Sequence, residues 1–107
     1  MNMDNMNIIT QLSEDRTSFT ITLSGRFDYT CHKDFTGTYG ELKCGPEKYI
    51  LNMEDIESID SSALGMLLLL KNHAGGDDAD IQIVNASPDI VKLMNTCKFD
   101  SLFNIIQ

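Results

Sequence analysis

The chain has 107 residues, which is room for one domain and one core. Sixteen acidic residues against eight basic ones give a formal charge of -8. The basic residues are scattered, which argues against a nucleic-acid backbone or an anionic membrane surface as partner and leaves a basic protein compatible. Hydrophobic residues make up 42% with no tryptophan, so the core must be mostly aliphatic, drawn from Ile, Leu and Met.

Met1 to Asn7 is rich in Met and Asn and has neither the basic segment nor the apolar stretch of a signal peptide, so it reads as a flexible lead. Residues 8–107 then form a single domain. Asn7 to Leu12 is a candidate first strand. In Ser18 to Ser24, Phe19, Ile21 and Leu23 alternate with polar residues, the period of a strand with one buried face, and Gly25 is expected to break it. Thr30 to Lys43 reads as a weak helix interrupted by Gly37 and Gly40, ended by Gly45-Pro46. Lys48 to Met53 is a candidate central strand.

After Ile59, Asp60-Ser61-Ser62 places a capping residue before helix formers, and the helix is expected to run to His73, where Gly75-Gly76 stops it. Its run Ala63 to Leu70 is far short of the roughly 20 apolar residues that span a bilayer, so it is read as a central buried helix, with no membrane insertion. Ile81 to Val84 is a short strand. Ser87-Pro88-Asp89 opens another helix, with Ser as cap and Pro in the first turn, and Ile90, Val91, Met94 and Cys97 near one face. Leu102 to Ile106 is a last strand or a short helix. Strands alternating with helices predict an α/β layer fold, with a mixed, mostly parallel sheet of four to five strands, right-handed crossovers and helices packed against it.

The residues that carry catalysis are thin. His32 and His73 lie in no catalytic signature, and no base accompanies a nucleophile, so the chain is not read as an enzyme. Gly75-Gly76-Asp77-Asp78-Ala79-Asp80 is acidic but fails the calcium-loop spacing and reads as a solvated turn. Neither nucleotide-binding glycine fingerprint occurs, and no cofactor or metal is expected. Cys31, Cys44 and Cys97 are widely spaced and odd in number, and read as reduced, buried or half-buried thiols of a cytoplasmic protein.

The informative segment is Asp60-Ser61-Ser62-Ala63-Leu64-Gly65. A serine at a helix start lies near free backbone N–H groups and the positive end of the dipole. Its plain role is a cap, contributing about 1 kcal/mol. A phosphoryl group there would meet the same N–H groups and add roughly -1.5 to -2 charges, which Asp60 and a nearby Asp28 would repel. Such a group disturbs a docking surface more than a fold.

Three stretches together resemble the STAS domain of bacterial anti-sigma factor antagonists: Leu23-Ser24-Gly25-Arg26-Phe27-Asp28, Ile50-Leu51-Asn52-Met53 through Ile59 to Gly65, and Val84-Asn85-Ala86-Ser87-Pro88. The resemblance covers roughly residues 18 to 106 and implies the STAS fold for residues 8–107. It implies partner switching. The unphosphorylated antagonist binds an anti-sigma factor, often a serine kinase, phosphorylation blocks binding, and a PP2C-type phosphatase restores it. The phosphorylated serine of the family matches Ser61, with Ser62 its unmodified neighbour.

The implied partner surface comprises Asp28, Asp60, Ser61, Ser62, Ala63, Leu64, Asn85 and Ser87, on a protein that is a monomer when free. The Ile59 to Gly76 stretch looks like stand-alone proteobacterial members, some of which act on biofilm or motility through a response regulator with phosphatase and kinase parts. Two positions depart from the pattern. Ala63 stands where many members have Gly, and Ala is still small enough for a partner backbone to come close. Arg26 stands where an acid is common. The resemblance also admits a second implication, a constitutive STAS subunit docked on the ATPase of a lipid-moving membrane transporter.

Overall fold

A computed structural model describes residues 6–40 and 46–106. The strands are β1 (Met6–Leu12), β2 (Ser18–Phe27), β3 (Lys48–Ile59), β4 (Ile81–Val84) and β5 (Asn104–Ile106), and the helices are α1 (His32–Gly40), α2 (Ser61–His73) and α3 (Pro88–Thr96). They form one five-stranded sheet in the order β1-β2-β3-β4-β5. Only β1 runs antiparallel, and the β2–β3, β3–β4 and β4–β5 pairs are parallel. The mixed, mostly parallel α/β sheet expected from the pattern is the one observed.

The alternation read in the sequence sets which face is buried. Phe19, Ile21 and Leu23 of β2 are buried, as are Tyr49, Leu51 and Met53 of β3 and Ile81 and Ile83 of β4. Register places Ile21 beside Leu51 and Leu51 beside Ile83, so these side chains form one continuous apolar face. Met66, Leu67 and Leu70 of α2, Phe35 and Tyr39 of α1 and Ile90 and Met94 of α3 join that core. Each fully buried Leu or Ile contributes about 1.5–3 kcal/mol of transfer free energy. On the opposite face Thr20, Thr22, Ile50, Asn52, Gln82 and Val84 are half-buried.

An aromatic ladder fixes α1 beside α2. The rings of Phe27 and Phe35 lie 5.2 Å apart, Phe35 and Tyr39 5.8 Å, and Tyr39 and His73 4.8 Å. His73 is thus an exposed helix-end residue whose ring packs, tilted by 55°, against a core tyrosine. The end of α2 follows the glycines as expected: Gly75 and Gly76 take φ of 125° and 66°, and Lys71 Nζ donates to the Gly76 carbonyl at 2.6 Å. Residues 76–78 make a 3-10 turn, the solvated acidic turn of the sequence.

Several boundaries differ from expectation. Met6 and Asn7 belong to β1 rather than to a lead, and residues 1–5 lie outside the described residues. Gly25 does not end β2, which continues to Phe27. A 3-10 turn over Tyr29–Cys31 precedes α1, which passes through Gly37 and includes Gly40. Glu41 to Gly45, Cys44 among them, also fall outside the described residues. β3 runs to Ile59 rather than stopping at Met53. α2 is not buried all round, because Leu68 and Leu69 are 40% and 47% exposed. Cys31 is buried as expected but Cys97 is exposed, since it is the C-cap of α3 rather than a member of its buried face. The last segment is a strand, preceded by a 3-10 turn at Phe99–Ser101.

Candidate functional site

The site is built where β2 and β3 run on beyond β4. Two irregularities let them stay paired. Between the Thr22–Asn52 and Ser24–Asp55 pairs, β3 uses three steps against two on β2. Between Gly25–Ile56 and Arg26–Ser58 it uses two against one. These are β-bulges, which bend a strand and increase its twist. Gly25 sits at the second with φ 95°, a conformation that favours glycine. The bulges turn Ile56 inward and leave Glu54, Asp55, Glu57 and Ser58 exposed.

The ribbon ends with Phe27 beside Ile59, and the Asp60 amide donates to the Phe27 carbonyl at 3.3 Å. Asp28 and Asp60 therefore leave neighbouring strand ends. Asp60, in extended conformation at φ -117°, caps α2, its carboxylate accepting from the Ala63 amide at 3.0 Å. Its carbonyl accepts from the Ala63 and Leu64 amides at 3.1 and 3.4 Å. Of the two residue types the sequence offered as cap, Asp takes the role. Ser61 is the first helical residue, exposed like Ser62, with the first-turn amides beside it.

Asp28 caps the neighbouring 3-10 turn. Its carboxylate accepts from the Thr30 hydroxyl and from the Thr30 amide at 3.0 Å. The Thr30 hydroxyl bond, then the amide bond, with the Arg26 charge adding to them, hold this carboxyl below the ordinary range, so it is anionic at neutral pH. Segments 23–28 and 53–60 together carry Asp28, Glu54, Asp55, Glu57 and Asp60 against Arg26, so the ribbon that leads to Ser61 is acidic.

The remaining expected residues divide. Ala63 and Leu64 are only 0% and 8% exposed, so their side chains support the surface from beneath. Ala in place of the family's Gly at position 63 therefore bears on internal packing rather than on the approach of a partner backbone. Asn85, at φ 61°, donates from Nδ2 to Asn52 Oδ1 at 3.1 Å, and the same oxygen accepts from the Glu54 amide at 3.2 Å. Ser87 caps α3 by accepting from the Ile90 amide at 3.3 Å. Because Val84 pairs with Asn52, this loop enters at the start of the ribbon, whereas Ser61 lies past its end. The structure thus brings Asp28, Asp60, Ser61 and Ser62 to one end and ties Asn85 to the first bulge, with Ser87 two residues on at the cap of α3.

Sequence reading passed over Thr30, which holds the Asp28 carboxylate. The Asp-x-Thr spacing of an Asx-type turn was the available signal. It passed over Asn52 as well, which ties the bulge to the Asn85 loop. A groove along α3, lined by Ala86, Pro88, Val91, Lys92, Asn95 and Thr96, shares no residue with the Ser61 cluster. Among the described residues no three His, Cys, Asp or Glu side chains gather as metal ligands, and no helix is long and apolar enough to cross a membrane.

Comparison with known proteins gives the family. A family model described as Mlab, STAS domain matches residues 10–106, and the chain belongs to the STAS-domain family. A STAS-domain containing protein of Pseudomonas aeruginosa is 42% identical over 93 residues, covering 87% of this chain and 92% of that one. Among solved structures, a sulfate transporter family protein from Wolinella succinogenes superimposes with a TM-score of 0.72 at 15% identity, covering 90% of this chain and 82% of the other. The anti-sigma factor antagonist SpoIIAA in its unphosphorylated form gives a TM-score of 0.63 at 19% identity, over 83% of this chain and 82% of the other. Its phosphorylated form, from Bacillus, gives 0.62 at 16%, over 94% and 92%. At these identities the solved structures establish the shared fold. That fold serves anti-sigma factor antagonists and a transporter-family protein alike.

Proposed function

We propose that this protein is a non-enzymatic, cytoplasmic anti-sigma factor antagonist that works by partner switching. The unphosphorylated form binds an anti-sigma factor or a serine kinase/phosphatase response regulator, and phosphorylation of Ser61 blocks that binding. A PP2C-type phosphatase restores it. The observation that carries this reading is the exposed Ser61 at the first position of α2, with the cap already supplied by Asp60. The Ser61 hydroxyl is therefore not needed to start the helix and is open to a kinase. A phosphoryl group there gains the first-turn amides while meeting the Asp28 and Asp60 carboxylates, so it changes the character of the surface and leaves the helix formed.

Phosphosite mapping by mass spectrometry on protein from the native host, sampled across growth states, tests the proposal. Phosphate on Ser61 that a PP2C-type phosphatase removes is the expected result. Phosphate on Ser62 alone would reassign the site.

The likeness to a transporter-family protein favours a second reading, a constitutive subunit docked on a membrane transporter ATPase. Its expected results are no phosphate in any growth state and co-purification with an ATPase that phosphatase treatment does not alter.

A further inference from the structure

The helices all lie on one face of the sheet. Phe35 and Tyr39 of α1, Leu67 and Leu70 of α2 and Ile90 and Met94 of α3 belong to the same core as Ile21, Leu51 and Ile83. Among the described residues no helix covers the other face, although parallel strands are ordinarily buried on both. Register lays out that bare face in rows across the strands. One row reads Ile9, Thr22, Asn52, Val84 and Ile106. The next reads Gln11, Thr20, Ile50, Gln82 and Asn104. A face that stays in water is the usual place for Lys and Glu. None of these side chains is charged, in a chain whose formal charge is -8. Ile9 and Ile106, at the two ends of the first row, are 67% and 42% exposed.

We infer that this face is where two copies of the chain dimerise, sheet against sheet. The rows read almost the same from either end. Because β3 is the middle strand, a twofold axis parallel to it sets β1 over β5 of the second copy and β2 over its β4. Ile9 then meets Ile106 of the second copy, Thr22 meets its Val84, and Asn52 meets Asn52. In the next row Ile50 packs on Ile50, while Gln11 and Thr20 face Asn104 and Gln82. Apolar groups meet apolar groups and amides meet amides, as a self-complementary contact requires. Charge selects the same occupant: a basic partner is drawn to the acidic ribbon, whereas two acidic copies can meet here without opposing carboxylates. Strands about 4.8 Å apart and about 20 Å long offer roughly 500 Å² per copy. Roughly 1,000 Å² in total is the lower bound of a specific interface, so the dimer is reversible, with a Kd of about 10–100 μM. At lower concentration the chain is the free monomer that the family resemblance implies. The face lies across the sheet from α2, so this inference goes beyond the partner-switching reading and stands without it.

Sedimentation equilibrium of the full chain across the micromolar range tests the inference. A monomer–dimer equilibrium is expected. It should tighten about threefold or more as NaCl rises from about 10 to about 300 mM, because salt screens the repulsion between two acidic copies and leaves the apolar contact intact. Ile9→Lys and Thr22→Lys should each weaken dimerisation about tenfold or more, while Leu68→Lys on α2 should leave it unchanged. Lysine is the stringent choice, since it lowers the net negative charge and so cannot act through overall repulsion. Ile9 is 67% exposed, so Ile9→Lys tests the contact without disturbing the fold, which its urea midpoint checks. A photo-crosslinking benzoylphenylalanine at Ile9, in a mixture of unlabelled and nitrogen-15-labelled chains, then reads the orientation. Adducts between differently labelled chains that join Ile9 to β5 are expected.

A chain that stays monomeric to about 500 μM would overturn the inference. So would a dimer that neither lysine variant on the sheet face weakens, one that salt dissociates, or adducts from Ile9 to the helical face of the second copy.

Discussion

Replacing Ser61 by Asp is expected to be close to neutral for folding and damaging for docking, and the two effects can be separated. Ser61 is the first residue of α2 and its side chain is exposed. A carboxylate there gains about 0.3–1 kcal/mol from the helix dipole. Against this stands repulsion from Asp60: two charges about 5 Å apart in water interact by about 0.8 kcal/mol, and salt reduces this. Asp28, the second nearby carboxylate, adds a similar but smaller amount. The sum lies within about 0.5 kcal/mol of zero, less than about 4 °C in Tm for a domain of this size. If the proposed partner switching holds, binding to the anti-sigma factor or kinase should fall tenfold or more, about 1.4 kcal/mol. Urea unfolding gives the first quantity and calorimetric titration the second. A stability loss above about 2 kcal/mol would refute the reasoning, because negative charge at Ser61 would then act by unfolding α2.

Three further outcomes test other parts of the structure. Asp60→Ala removes the side-chain acceptor for the Ala63 amide and should cost about 1–2 kcal/mol by urea unfolding, with Asp60→Asn retaining most of the stability. Leu67→Ala, at a fully buried position, should cost about 2–5 kcal/mol, whereas Leu69→Ala, 47% exposed, should cost less than about 1, and equal losses would contradict the orientation of α2. The Asp15 carboxyl is held at about 2 by the Ser13 hydroxyl first, then by Thr17. Since the folded value lies below the unfolded one, its contribution to stability is present above about pH 4 and is lost as pH falls toward 2. Thr17→Val should move that carboxyl upward in an NMR titration, and an unmoved titration would show that the Thr17 bonds do not hold it.

The parts legible in the sequence are those where a local rule and the tertiary setting agree. α2 begins and ends where Asp60 and Gly75 place it, β4 occupies Ile81–Val84, and α3 opens on Ser87 and Pro88. The ribbon was not legible, because its bulges break the two-residue period. Ile56 and Ile59 are three apart, and Glu54, Asp55 and Glu57 look like loop. Gly25 looked like a breaker because sequence shows that glycine permits an unusual φ, but not that a strand continues through it. Four successive leucines at 67–70 cannot say which two face out; only the packing of α1 and the sheet decides that Leu67 and Leu70 are covered. Within the site, the clustering of Asp28 with Asp60 and Ser61 follows from strand register, which pairs residues some thirty positions apart.

The hydrogen bond from the Asp60 amide to the Phe27 carbonyl has a kinetic meaning. It ties the cap of α2 to the neighbouring strand, so fraying of the helix start also costs a hydrogen bond to the sheet. Under the proposed partner switching, a partner arriving at Ser61 meets a helix start already held in place before contact. Little ordering entropy is lost on association, and encounter rather than rearrangement sets the on-rate. On that proposal, a phosphoryl group on Ser61 acts by changing the contacts of a preformed face and shortens the lifetime of the complex.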